Sequence, residues 1–200
     1  MLSQDEKLDI KALQGRRAFG VDLKIVDEEG KALPHDGQAV GELYVRGNTI
    51  ISGYYNNEEA SHAAIDKEGW FGTGDVASID GDGFLSIQDR AKDLIKSGGE
   101  WISSIDLENI VMGHPEVANC AVISVPHPKW DERPLLVVVP KGEVQVTKAE
   151  VDEMLLKQVA KWQLPDAVEF VEELPLTATG KVSKLTLRQN FKKYKLPDME

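Results

Sequence analysis

Cysteine occurs once in the 200 residues, at Cys120, which excludes an internal disulfide framework and a multi-cysteine metal site. Its surroundings, Val117-Ala118-Asn119-Cys120-Ala121-Val122-Ile123, suit a small buried core residue. No apolar run approaches the roughly eighteen residues that a membrane span needs, so no membrane-spanning helix is expected. The opening Met1-Leu2-Ser3-Gln4-Asp5-Glu6 has neither the basic nor the apolar stretch of a signal peptide, and a cytoplasmic protein is the expectation. Basic residues are in the minority, 23 against 34 acidic ones, for a formal net charge of −11. Sequence-independent nucleic-acid binding draws its affinity from neutralised phosphates, so no nucleic-acid partner is expected of so acidic a chain. Histidine is scarce too. His35, His62, His114 and His127 have no metal-ligand or nucleophile partner at a telling spacing, and all four read as structural or solvated.

What is present is ordinary soluble material, 42% hydrophobic and 28% charged, enough for a core. The length allows one good-sized domain or two small ones. Charge is unevenly spread. From Lys181 onward six cations (Lys181, Lys184, Arg188, Lys192, Lys193, Lys195) face two acids, so this tail carries +4 and the 180 residues before it −15. That asymmetry points to an anion handled near the basic end.

Residues 1–19 suggest at most one short helix. Alternation of apolar and polar residues predicts strands over 21–26 and 41–47, and a Glu/Ala-rich stretch predicts a helix over 56–65. Strands over 75–79 and 84–87 follow, joined by the turn sequence Asp80-Gly81-Asp82-Gly83. The character then changes. Strands at 94–96 and 101–102 flank Gly98-Gly99, a helix spans 104–112, and strand-like runs cover 118–125 and 135–139. Thr147-Lys148-Ala149-Glu150 is a capping box. It opens a helix that carries Val151, Met154, Leu155, Val159 and Trp162 on one face and ends at Pro165. A strand over 168–171 and a basic helix over 184–193 complete the chain. The fold class expected is α+β: a β-rich part over 1–88, a hinge over 89–93, and a small α+β domain over 94–200 with a short β-hairpin and a sheet with helices.

Four segments exceed what folding alone asks for. Gly41-Glu42-Leu43 with Gly47 and Gly53-Tyr54-Tyr55 reads either as turns and bulges or as a ligand-facing loop. Gly69-Trp70-Phe71-Gly72-Thr73-Gly74-Asp75 ends a glycine-bracketed loop on a carboxylate, which either caps a turn or accepts two hydrogen bonds from a vicinal diol such as a ribose. Asp89-Arg90-Ala91-Lys92-Asp93 is a solvated linker or a hinge. Pro175-Leu176-Thr177-Ala178-Thr179-Gly180-Lys181 presents a lysine after a Thr/Gly loop, either idle on the surface or placed to meet a phosphate or carboxylate. It is not a P-loop, because Pro175 and Val182 stand where a glycine and a Ser or Thr are required.

Taken in order, these four segments resemble the C-terminal part of the adenylate-forming (ANL) acid–CoA ligase superfamily, whose relatives include firefly luciferase and peptide-synthetase adenylation domains. The resemblance runs from about Gly15 to Lys193. The wording Asp93-Leu94-Ile95-Lys96-Ser97-Gly98-Gly99-Glu100-Trp101-Ile102 and His127-Pro128-Lys129-Trp130-Asp131-Glu132-Arg133-Pro134 is most similar to bacterial fatty-acid or medium-chain acyl-CoA ligases. The resemblance implies that the β-rich part is the last subdomain of a large adenylation domain. It makes Asp75 a ribose-diol ligand of the nucleotide and Arg90 a second ribose or phosphate contact. Lys92 becomes the hinge position, Gly98, Gly99 and Glu100 line the passage of the CoA arm, and Lys181 becomes the adenylation lysine.

The implied substrates are a carboxylic acid, ATP with Mg2+ carried on its phosphates, and CoA. The implied chemistry is acyl-adenylate formation followed by thioester formation. Basic residues after Lys181 are expected to meet the CoA phosphates, and a homodimer is one assembly left open. Many family members have Gly-Glu where Asp131-Glu132 stands, for which a local turn change is expected, and Trp101 replaces smaller or basic residues. The family's phosphate loop, adenine segment and acyl pocket all precede this region, so the 200 residues are expected to be a partial product, inactive in isolation. Two other readings stay open: a non-catalytic nucleotide- or CoA-binding module, and a piece of a peptide-synthetase-type adenylation domain. The acid activated is not encoded in these motifs.

Overall fold

The alternating runs at Val21 and Gly41 become neighbouring antiparallel strands, with Ile25 opposite Leu43 and both buried on one face. The computed structural model describes residues 3, 4, 8, 10, 11, 13–142 and 146–197, and the short helix expected within 1–19 lies partly outside them. The chain divides into two compact units, Met1–Lys92 and Asp93–Glu200.

The first unit contains strands β1 (Gly15–Arg16), β2 (Val21–Val26), β3 (Gly41–Gly47), β4 (Phe71–Ile79) and β5 (Phe84–Arg90). They form one antiparallel sheet in the order β1-β5-β4-β3-β2. Helix α1 (Glu58–Ala64) is capped by Asn57, whose side chain accepts from the Ala60 amide. The core of the unit is Ile25, Leu43, Ala77 and Ile79, with Leu23, Val45, Leu85 and Ile87 packed around it. Gly41 has a packing reason to be glycine: a Cβ there would stand 2.4 Å from the Val26 carbonyl oxygen. Asp80 closes the β4–β5 turn by accepting from the amides of Asp82 and Phe84. β4 and β5 run further than their alternation alone suggested. Asp89 and Arg90, the first two residues of the expected hinge, are strand residues opposite Val76 and Asp75.

The second unit is built on β8 (Val117–His127) and β9 (Asp131–Pro140), a long antiparallel pair. Strand β10 (Ala167–Phe170) runs parallel to β9 on the edge away from β8. The hairpin of β6 (Ile95–Ser97) and β7 (Glu100–Ile102) joins the start of β9, where Ser97 pairs with Asp131. Near-continuous apolar runs in β8 and β9 reflect burial of both faces. Cys120, Val122, Leu136 and Val138 pack on one side with Leu107 and Val111 of α2 (Ser104–Met112) and Val151 and Leu155 of α3 (Lys148–Leu155). Ala121, Ile123, Leu135 and Val137 pack on the other with Leu187 of α4 (Lys184–Asn190) and Leu196. The expected α+β class is what the chain adopts.

The capping box forms as expected: Thr147 Oγ1 accepts from the Glu150 amide, and Glu150 accepts from the Thr147 amide at 2.8 Å. The helix it opens is shorter than expected. It ends at Leu155, and Lys161–Gln163 form only a 3-10 turn. Pro165 disfavours helical geometry at Leu164, and the carbonyls of Trp162 and Leu164 turn aside to accept from Arg133. Trp162 is therefore half exposed instead of lying on a buried helical face. The basic helix is also shorter, ending at Asn190 instead of residue 193.

Cys120 is buried, and burial, reinforced by the charge of Glu108, pushes its thiol up to about 12. A thiolate is the reacting form, so Cys120 in the folded chain should resist a disulfide reagent at pH 8 and titrate fully once denatured. Rapid labelling of native protein would contradict this burial.

Candidate functional site

In the first unit, β4 and β5 bring Asp75 and Arg90 directly opposite one another. The Arg90 Nε donates to Asp75 Oδ1 at 2.9 Å; the carboxylate is largely covered while the guanidinium is more than half exposed. Asp75 Oδ2 has no partner among the described residues, so one acceptor of an oriented carboxylate is left over. Its backbone is held by Thr73, whose hydroxyl accepts from the Asp75 amide and donates to the Leu43 carbonyl, both at 3.1 Å. Gly74 has φ +75°, and its carbonyl accepts from the Ala91 amide at 2.9 Å. The structure thus brings together the Thr-Gly-Asp motif, the Gly-Glu-Leu strand and Arg90. Lys92 is exposed at the last position of this unit.

In the second unit, Gly98 and Gly99 form the β6–β7 turn at φ +61° and +90°, a pair of left-handed conformations suited to glycine. Gly98 has a second reason. Its amide donates to the Trp130 carbonyl at 2.9 Å, and a Cβ would meet the Trp130 ring at 2.9 Å. Beside the turn lies a cavity of about 410 Å³ lined by Ser97, Gly98, Glu100, Trp130, Arg133, Trp162 and Asp166. Trp101 is half exposed beside Lys96, whose ammonium lies 5.2 Å from its ring centre. Asp131, at a position where glycine is common in the resembling family, holds φ +65°. Aspartate is one of the few residues that tolerates this region, so the glycine-type backbone is retained at this position.

Lys181 sits on a tight loop closed by the Leu176–Val182 bridge. The Thr177 amide donates to the Lys181 carbonyl at 2.7 Å, the Lys181 amide to Thr177 Oγ1 at 3.2 Å, and the Gly180 amide to the Thr177 carbonyl at 2.9 Å. The threonines of the motif therefore fix the backbone while the exposed Lys181 ammonium has no partner among the described residues. The cations after it, expected as a group to meet the CoA phosphates, divide into two sets. Lys184 pairs with Glu108 at 2.7 Å and Arg188 with Asp93 at 2.8 Å. Lys192, Lys193 and Lys195 remain exposed. Asp75 and Lys181 belong to different units.

Residues 106–181 match the model of the AMP-binding enzyme C-terminal domain, a segment that ends on Lys181 itself. The chain carries an AMP-binding C-terminal domain. Over 194 residues the chain is 55% identical to a long-chain-fatty-acid–CoA ligase of Thermus thermophilus, covering 96% of this chain and 36% of that ligase. It is 53% identical over 188 residues to a 3-methylmercaptopropionyl-CoA ligase of Ruegeria lacuscaerulensis, covering 94% and 34% respectively. The chain thus spans about a third of the length of the curated relatives it matches. Among solved structures, ATP-bound MatB from Rhodopseudomonas palustris is 34% identical with a TM-score of 0.81, over 92% of this chain and 37% of that one. The apo form of the same neighbour, at equal identity and coverage, scores 0.64.

Sequence reasoning missed two polar clusters of the second unit. Arg133 binds Asp166 through both of its carboxylate oxygens, at 2.7 and 2.8 Å. Lys184 bridges Glu108 and Ser104. Each joins residues 33 to 80 positions apart, and no local spacing announces such a pair. The remaining histidines act locally where bonds are seen: His127 Nδ1 accepts from the Lys129 and Trp130 amides, and His114 Nδ1 from the Glu116 amide. Among the described residues no three His, Cys, Asp or Glu side chains gather for a metal ion, and no helix is long and apolar enough to cross a membrane.

Proposed function

We propose that this chain supplies the C-terminal part of an ATP-dependent, AMP-forming carboxylic acid–CoA ligase acting on fatty or medium-chain acids. The observation that carries it is Lys181: a backbone pinned by its own threonine loop, an unpartnered ammonium, and the last matched position of the domain. A carboxylate and the α-phosphate of ATP repel each other. A cation held between them aligns the two groups and stabilises the charge that builds during attack, which releases pyrophosphate. Asp75 takes the ribose diol through its remaining oxygen, with Arg90 orienting it and reaching toward ribose or phosphate. Magnesium enters on the ATP phosphates.

The second step, thiol attack on the acyl-adenylate, needs Lys181 out of the way. In this reading Lys92 is the hinge, and a rearrangement about it replaces Lys181 with the Gly98–Gly99 turn, past which the CoA arm runs beside Glu100. The near-equal likeness to two ligases named for chemically different acids supports placing acid choice outside this segment.

Pyrophosphate exchange tests the reading. A polypeptide joining this chain to the remaining two-thirds of a ligase should exchange pyrophosphate and convert supplied acyl-AMP to acyl-CoA. The 200-residue chain alone should do neither. Exchange by the isolated chain would overturn the assignment of phosphate binding to another segment. Failure of the joined protein in both steps would sink the ligase reading.

A further inference from the structure

We infer that Arg133 is a positioning residue for the thioester-forming step, fixing the Gly98–Gly99 turn from behind; this rests on the ligase reading above. All five guanidinium N–H groups are used. Nε donates to Asp166, Nη1 to Ser97 Oγ at 2.8 Å and the Trp162 carbonyl at 2.9 Å, and Nη2 to the Leu164 carbonyl at 3.1 Å and Asp166 at 2.7 Å. No donor is left for a ligand. The side chain is 11% exposed, so Arg133 lines the cavity without offering it a free charge.

The turn needs outside support. Its two strands have three residues each, and a hairpin that short is marginal alone. Two successive glycines have more conformations to lose than any other pair. What restrains them comes from residues 130–133: the Trp130 carbonyl on the Gly98 amide, Glu132 Oε2 on the Lys96 amide at 3.1 Å, and Arg133 on Ser97. Arg133 ties that edge to a second element, the segment from Trp162 to Asp166, next to the bond from the Asp166 amide to the Pro134 carbonyl. A lysine would keep the charge there and lose the fork.

In the joined ligase, Arg133→Lys should slow thioester formation from supplied acyl-AMP by roughly 10²-fold in kcat, the scale of a reacting geometry misplaced by about an ångström. Pyrophosphate exchange should stay within about twofold. Ser97→Ala, which leaves the Arg133–Asp166 pair intact, should give the same selective loss at smaller size and guards against a variant that does not fold. In the 200-residue chain both variants should accelerate hydrogen exchange of the Gly98 amide relative to that of Val137 in β9. Equal loss of both half-reactions, or an unchanged Gly98 amide, would overturn the inference. If the unsubstituted joined protein makes no thioester from acyl-AMP, the ligase reading fails, and Gly98 exchange still decides whether Arg133 holds the turn.

Discussion

Lys181→Ala in the joined ligase should reduce pyrophosphate exchange by roughly 10²- to 10³-fold, the scale of removing one preorganised charge-stabilising donor. It should leave acyl-CoA formation from supplied acyl-AMP within a few-fold of the unsubstituted protein. The asymmetry follows from charge. In the proposed adenylation two anions must approach, and the role proposed for the Lys181 ammonium is to offset a repulsion that water and magnesium only partly screen. In thiol attack the acyl group is already activated, and a cation at that spot contributes nothing. The substitution should be silent in unfolding, because the ammonium is exposed and the loop is tied by Thr177 and Gly180 backbone bonds that alanine preserves. Lys181→Arg should rescue poorly, since a planar fork does not replace a compact point charge between two oxyanions. Equal loss of both half-reactions would contradict the role assigned to Lys181.

Short-range chemistry made most of the fold legible. The alternation at Val21 and Gly41, the Asp80 turn, the Gly98-Gly99 hairpin and the Thr147 capping box each rest on a few neighbouring residues, and each forms. The errors lie where a distant partner decides. The α3 helix stops at Leu155, short of Pro165, and beyond it the carbonyls of Trp162 and Leu164 accept from the distant Arg133. Asp89 and Arg90 look like linker by charge, yet β4 recruits them into a sheet. The candidate residues Asp75, Arg90, Gly98 and Lys181 were legible because each sits in a short motif. Their supports were not: Thr73 reaches back 30 residues to Leu43, and Arg133 forward 33 to Asp166. The basic tail divides the same way, with Lys184 and Arg188 taken by internal carboxylates whose positions no periodicity reveals.

Glu108→Ala should destabilise the second unit by about 3 kcal/mol, the lower end of the range for stripping one partner from a buried ion pair. Glu108 lies on α2 and accepts from two sides at 2.7 Å: the Val122 amide and the Lys184 ammonium. The two side chains are 19% and 14% exposed, so solvent cannot replace either partner cheaply. Among the described residues β8 pairs with β9 alone, and the Val122 amide turns from β9 to the carboxylate of α2, which takes the place of a neighbouring strand. Alanine leaves both a covered ammonium, still bonded at 2.6 Å to Ser104, and an orphaned amide. Glu108→Gln should cost less, since an oxygen acceptor remains for Val122. Adding Lys184→Met to Glu108→Ala should recover part of the loss by removing the unpaired charge, but not the part owed to Val122. Urea denaturation of the three variants measures this ordering. A loss within about 0.5 kcal/mol for Glu108→Ala, the range of ordinary surface changes, would show that the pair carries no weight. The ordering also bears on Lys181. Ser183, two residues past it, caps α4, and Lys184 pins that cap to α2, so the base of the lysine loop is set by the same carboxylate that seals the sheet edge.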